Sequence, residues 1–234
     1  MTDYDEAPPM PVADYRHFQQ VVPGLEGLYR SIRAIMDASL PDRAHIMIAG
    51  AGGGREIEAL GASPRAFRMT GIDPSSDMLA IAQTYADALD MKQRIQLVKG
   101  TVEDADKNEA FDAATSILVM HFLADDGAKA RYLQCIRERL KPGAPYLHAD
   151  VSFDNRHMFD RIAPAIYEHA LIVGLPVHVA EGPAHHIGRM AFGDGPPTII
   201  SEARTLDLFR KAGFRLVAPF FRGLWYAGWW MEAD

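Results

Sequence analysis

One cysteine, Cys135, stands in the whole chain of 234 residues, so no intramolecular disulfide can staple the fold. Its spacing with Leu133, Ile136 and Leu140 in a helical pattern predicts a buried thiol rather than a reactive one. There is no basic stripe: the net charge is −7 and no Lys/Arg cluster stands out, which argues against nucleic acid as partner. Long apolar runs are also missing. The longest, near Ala170 to Ala180, is broken by Pro176 and His178 and is too short to span a bilayer, so no membrane partner is expected. The chain opens on Asp, Glu and Pro instead of a basic-plus-apolar leader, and the expected location is the cytoplasm.

What is present is an alternation. Short apolar runs at Ala44–Ala49, Arg68–Ile72, Ile95–Val98, Ala113–Val119 and Pro145–Val151 are separated by stretches of helical spacing. Such alternation predicts an α/β fold with a parallel sheet covered on both faces. Residues 1–42 read as a frayed, Pro-rich start followed by helices, and 43–234 as the main domain. Residues 155–200 break the rhythm and read as a lid rich in Gly, Pro and His. After a helix over Glu202–Ala212, a hairpin through Arg222-Gly223 closes the chain.

Ile48-Ala49-Gly50-Ala51-Gly52-Gly53-Gly54 leaves the first strand and enters a helix. In an open parallel sheet the ligand sits here, at the carboxyl ends of the strands. A dinucleotide fingerprint would put its third glycine at the position of Arg55, which disfavours a nicotinamide oxidoreductase. Asp73, after the second strand, is placed to accept hydrogen bonds from both hydroxyls of a ribose. Its competing role is a helix cap, which Ser75 or Ser76 can fill. Thr101, Val102 and Glu103 follow the third strand, and Ser116 lies in the fourth. His121, His148 and Asp150 sit near strand ends and are the candidate proton acceptors. Five of the nine histidines, His157, His169, His178, His185 and His186, fall in the insert. They lack the spacing of familiar zinc motifs, and no metal is expected.

Taken in order, the Ala49–Gly54 loop, Gly71-Ile72-Asp73-Pro74 with Met78, Phe111-Asp112, Leu140-Lys141-Pro142-Gly143 and Lys211-Ala212-Gly213-Phe214 resemble the class I S-adenosylmethionine-dependent methyltransferases. The resemblance implies a Rossmann-like, seven-stranded, mostly parallel sheet with an antiparallel last strand. It implies S-adenosylmethionine as cofactor and methyl transfer to a small acceptor. Gly50, Ala51 and Gly52 would then pass near the methionine portion and Asp73-Pro74 near the ribose. Met78, Thr101, Val102 and Glu103 would line the adenine, and Ser116 would lie beside the methionine amine. The family carries an acid two residues before the first glycine. Here that residue is Ile48, so the amine must find another acceptor.

Val22-Pro23-Gly24, His121-Phe122-Leu123, Asp150-Val151-Ser152-Phe153 and the Lys211–Phe214 ending are more closely similar to the carboxy-S-adenosylmethionine synthase group. The arginine and tyrosine that group relies on correspond to Leu208 and Leu25, so its architecture carries over and its reaction does not. Sparse charge between Ala163 and Ile200 points to an acceptor with apolar or aromatic character, or to the contact of a homodimer. The alternatives are a carboxy-S-adenosylmethionine synthase-like cofactor-modifying enzyme and a non-catalytic S-adenosylmethionine-binding protein.

Overall fold

A computed structural model describes Tyr15, Gln19 and residues 23–106, 109–152, 156–172 and 198–234. Helix α1 (Leu25–Ser39) comes first, with Leu25, Leu28, Tyr29, Ile32 and Met36 buried along one stripe. The alternation then follows as β1 (His45–Ala49), α2 (Arg55–Gly61), β2 (Arg68–Asp73), α3 (Ser76–Ala88) and β3 (Ile95–Lys99). Next come β4 (Ala113–Ile117), α4 (Ala128–Glu138) and β5 (Pro145–Val151). Helices α5 (Arg156–Ile172) and α6 (Glu202–Lys211) precede the closing strands β6 (Phe214–Gly223) and β7 (Tyr226–Ala233).

All seven strands form one sheet in the order β3-β2-β1-β4-β5-β7-β6. Strands β1 to β5 run parallel, and β7 is antiparallel to both β5 and β6. This is the mostly parallel Rossmann-like sheet with an antiparallel last strand that the motif order implies. The hairpin turns at Leu224-Trp225, slightly beyond the Arg222-Gly223 expected from sequence. Register shifts at Leu216/Ala218 and Pro219/Phe221 disrupt the outer strand β6, as suits a proline-bearing edge.

The inner strands are apolar on both faces because helices cover both. On one face Ile46, Ile48, Leu147 and Ala149 pack with α1, α2, α3 and, through Phe159 and Ala163, with α5. On the other, Met47, Ala49, Tyr146 and Trp229 pack with Leu133 and Ile136 of α4 and Leu208 and Phe209 of α6. Cys135 is half-buried at the edge of this second cluster, not fully buried as its spacing predicts. Among the described residues no helix is long and apolar enough to cross a membrane. Of the insert, α5 lies against the core, while 173–197, with His178, His185 and His186, falls outside the described residues.

Between β1 and β4 the strand order reverses, because the chain runs outward from β1 through β2 to β3 and returns on the other side. That switch point opens a crevice at the carboxyl ends of the strands.

Candidate active site

The glycine loop is folded back onto β2. The N–H groups of Gly50 and Ala51 both donate to the Ile72 carbonyl, each at 2.9 Å. Gly50 takes a φ of +82°, and a Cβ there would stand 2.3 Å from Val119 Cγ2, so the ends of β1 and β4 meet only because this residue has no side chain. Gly54 takes a φ of +77°, and a Cβ there would lie 2.9 Å from the Ala82 Cα, which lets α3 press against the loop. On the β4 side the turn is made by Leu118, whose φ of +59° is unusual for a branched side chain and marks a constrained strand end.

Asp73 ends β2 with 8% of its surface exposed. Its Oδ2 accepts from the Gly52 N–H at 2.8 Å and its Oδ1 from the Ser75 N–H at 2.9 Å. Helix α3 is capped by Ser75, whose hydroxyl accepts from the Met78 N–H, so Asp73 is not spent as a cap. Pro74 is half-buried beside it. Met78 reaches back over the loop, its Cε 3.6 Å from where a Cβ on Gly52 would stand.

After β3, the Thr101 N–H and hydroxyl both donate to Asp104 Oδ2, at 2.7 and 3.0 Å, capping a 3₁₀ turn over Val102–Asp104. Val102 is buried and Glu103 is exposed, which separates two residues that the motif treats together. Sequence reasoning missed what holds this turn. Arg139, buried in the next layer, donates to the carbonyls of Glu103 and Ala105, both at 3.1 Å, and to that of Cys135 at 2.9 Å. Ser116 is fully buried with its hydroxyl 2.8 Å from that of Tyr132.

His121 lies in a 3₁₀ turn, Met120–Phe122, just beyond β4. Its backbone N–H donates to Asp150 Oδ2 at 2.9 Å and its ring Nδ1 lies 2.5 Å from Asp150 Oδ1. Burial alone would raise the Asp150 carboxyl, but His121, His148 and Lys129 around it hold it below the usual carboxylate range. An ionised Asp150 calls for a proton on Nδ1, which leaves Nε2 as the ring's other nitrogen. Lys129 was also missed. It is buried, and its Nζ donates to the carbonyl of Met120 at 2.6 Å and of Thr198 at 2.7 Å, fixing the turn that carries His121. Desolvation pulls its ammonium down to about 8.

The structure sets His148 apart from the other two candidate bases. It is 0% exposed, and its ring is packed against those of Tyr146, Phe209 and Trp229. Its Nδ1 is 2.9 Å from the Tyr146 hydroxyl, and burial pushes its pKa down to about 4, so the ring is neutral. It lies inside the sheet behind Asp150, not at the crevice mouth.

Two tyrosines and an acid on the glycine-loop side carry no sequence motif. Tyr15 packs directly on the loop: a Cβ on Gly53 would fall 2.0 Å from its ring. Tyr29 of α1 stacks under the Arg55 guanidinium, 5.1 Å from the ring centroid, and Arg55 itself pairs with Glu26 and Glu58. Glu56 is 4% exposed, and among the described residues its Oε1 has no hydrogen-bond partner. Among the described residues no group of three or more His, Cys, Asp or Glu side chains is arranged to hold a metal ion. A glycine loop, a carboxylate at a strand end and a buried acid without a partner for one oxygen among the described residues suit an organic ligand bearing hydroxyls and a cationic group.

Residues 46–143 match the methyltransferase-domain family. No curated protein matches the chain. Among solved structures, the chain is similar to a SAM-dependent methyltransferase from Aquifex aeolicus, at 14% identity and a TM-score of 0.60, over 96% of this chain and 100% of that one. It is similar to the mitomycin 7-O-methyltransferase MmcR, at 19% identity and a TM-score of 0.58, over 90% of this chain and 55% of that one. It is also similar to an O-methyltransferase family 2 protein from Planctomyces limnophilus in complex with apigenin, at 16% identity and 0.60, over 87% and 56%. The chain thus spans little more than half the length of the last two. At these identities the likeness is one of fold. The match over residues 46–143, less than half of the chain, adds to it a similarity to methyltransferase domains, whose implied cofactor is S-adenosylmethionine.

Proposed function

We propose that the protein transfers the methyl group of S-adenosylmethionine to a small, partly apolar or aromatic acceptor. The cofactor supplies a methyl group that is already activated for displacement. The chain's tasks are to bind both partners, exclude water and, for a hydroxyl acceptor, remove a proton. In this reading Gly50, Ala51 and Gly52 line the methionine portion. Asp73, beside Pro74, accepts from the ribose hydroxyls, and Met78, Thr101, Val102 and Glu103 flank the adenine. The Ser116 hydroxyl is engaged by Tyr132, so its contribution is its backbone.

One observation carries the proposal: His121 stands at the end of β4, beside the crevice, with its ring oriented by the buried, ionised Asp150. That arrangement presents Nε2 to take the proton of a hydroxyl acceptor; the bound cofactor would supply the methyl group by loss of its sulfur–methyl bond, the electron pair leaving with sulfur as S-adenosylhomocysteine. His148, sealed among aromatic rings, supports the electrostatics of Asp150 instead of meeting an acceptor. The insert over 155–200 shapes the acceptor pocket, and residues 1–42 cap the cofactor side. Flat phenols are the natural first probes, given that one neighbour of like fold holds apigenin.

The carboxy-S-adenosylmethionine synthase reaction fits these residues less well. Leu208 is buried in the core, and Arg204 is held by Asp125 through two hydrogen bonds of 2.9 Å and by Asp207 at 3.2 Å. The test is methyl transfer from labelled cofactor to a panel of phenols, with wild-type protein and Asp150→Asn compared across pH. Transfer that weakens in the variant, with a changed pH profile, supports the reading. Transfer untouched by Asp150→Asn removes the His121–Asp150 pair from it.

A further inference from the structure

Glu56 poses a physical problem that the fold alone leaves unsolved. A carboxylate removed from water costs several kcal/mol unless it is paired, and buried acids are accordingly partnered or neutralised. Glu56 is 4% exposed and its Oε1 meets no donor among the described residues. The adjacent cation, Arg55, is already committed to Glu26 and Glu58. The one hydrogen bond that favours the charged form comes from Glu56's own backbone.

Its position is informative. Glu56 follows the glycine loop directly, in the first turn of α2. Its charge is felt by Asp73 at the end of β2, by Tyr15 on the loop, by Tyr29 of α1 and by Tyr132, which binds Ser116 of β4. Of these groups and the adjacent Arg55, only Arg55 is a cation. Ile48, where the resembling family has an acid, belongs to the same buried cluster as Tyr29 and Ile57, on the sheet face that α2 covers. Ile48 and the helix that carries Glu56 thus share one face of the sheet.

We propose that Glu56 holds the ammonium group of the cofactor's methionine portion, in place of the acid absent at Ile48. The inference rests on the cofactor reading above and adds one ligand to it. An ammonium group supplies the donors and the charge that Glu56 lacks, and the buried site makes their attraction stronger than it would be in water. The other facing groups, Asp73 and the three tyrosines, offer no positive charge. Because burial pushes the Glu56 carboxyl up to about 8, the acid is mostly protonated at neutral pH without a ligand. Binding an ammonium group must then expel that proton, and affinity must rise with pH as Glu56 ionises.

The experiment is calorimetric titration of wild-type protein and Glu56→Gln with two probes, S-adenosylhomocysteine and methylthioadenosine. The second probe keeps the nucleoside and the sulfur but lacks the amino-acid group. Buffers of different ionisation heat report proton release between about pH 6 and pH 8. Wild-type protein should bind S-adenosylhomocysteine more tightly as pH rises, releasing a proton. Glu56→Gln should bind it roughly tenfold to a hundredfold more weakly at the upper pH, with the proton release lost. Its affinity for methylthioadenosine should be unchanged, which also shows that the variant is folded. Equal S-adenosylhomocysteine affinity in the two proteins overturns the assignment while the cofactor reading stands. Equal weakening of both probes overturns it too, as general damage to the pocket. If wild-type protein binds neither probe, the cofactor reading falls and the assignment with it.

Discussion

Two buried acids, Asp150 near the end of β5 and Glu56 in the first turn of α2, are handled in opposite ways. Asp150 accepts from the backbone N–H groups of His121 and Val151, meets the His121 ring, and has Lys129 and His148 nearby. Desolvation pushes its carboxyl up, and these neighbours more than offset it. Glu56 suffers the same desolvation with a single backbone hydrogen bond and a distracted Arg55, and its carboxyl rises to about 8. The difference is one of supplied partners, not of burial. A complete set of partners makes Asp150 a fixed element that orients a base. An incomplete set makes Glu56 a vacancy for charge that a ligand can fill.

The largest effect should come from the finished side. His121→Ala should lower kcat on a hydroxyl acceptor by about 10²–10⁴-fold, the usual worth of general-base help, while S-adenosylhomocysteine affinity stays near wild type. Steady-state kinetics with parallel calorimetry checks this. An unchanged pH–rate profile in the variant would reassign His121 to packing.

His148 sharpens the same side through stability. Its folded pKa is depressed to about 4 from an ordinary value near 6.5. The unfolded chain therefore takes up the proton first, and stability present above about pH 6.5 is lost as pH falls through about 4, by roughly 3 kcal/mol. Denaturant unfolding across that range should show the loss in wild-type protein and a flatter curve in His148→Gln. Glu56 has the opposite sign. Its folded pKa is raised, so stability falls as pH rises from the ordinary carboxyl range toward about 8. In the same unfolding assay, Glu56→Gln should be more stable than wild type at the alkaline end, although it binds the cofactor product less well.

The smallest expected effect falls on Asp73. Asp73→Ala should weaken S-adenosylhomocysteine binding by about 1.5–3 kcal/mol, or roughly tenfold to over a hundredfold, with the fold retained. Affinity equal to wild type would mean that the carboxylate only ties Gly52 to Ser75.

What was legible in the sequence follows the same division. The strand–helix alternation, the glycine loop, Asp73 and the His121 turn are local patterns, and a parallel sheet brings successive strand ends together whatever the details. Asp150 was legible for the same reason, although its direct bond to His121 joins residues 29 apart. Glu56, Lys129, Arg139 and Tyr15 were not legible. A Glu in the first turn of a helix is ordinarily a solvated, favourable choice. In the fold α1 and α3 pack against α2, and this one is buried. Lys129 reads as a surface lysine until Thr198, 69 residues away, is seen to accept from it. His148 shows the reverse error, since two residues along a strand separate a crevice-end position from a sealed one.

The central claim is that one acid is kept ionised by its partners and the other waits for a cation. Carbon NMR of protein labelled at the Asp and Glu carboxyls, titrated between about pH 5 and pH 9, reads both groups directly. The account predicts an Asp150 signal that stays ionised throughout. It predicts a Glu56 signal that titrates near pH 8 in the free protein and shifts to the ionised position at neutral pH when S-adenosylhomocysteine is added. A Glu56 already ionised at about pH 6 without ligand, or unmoved by saturating ligand, would contradict it.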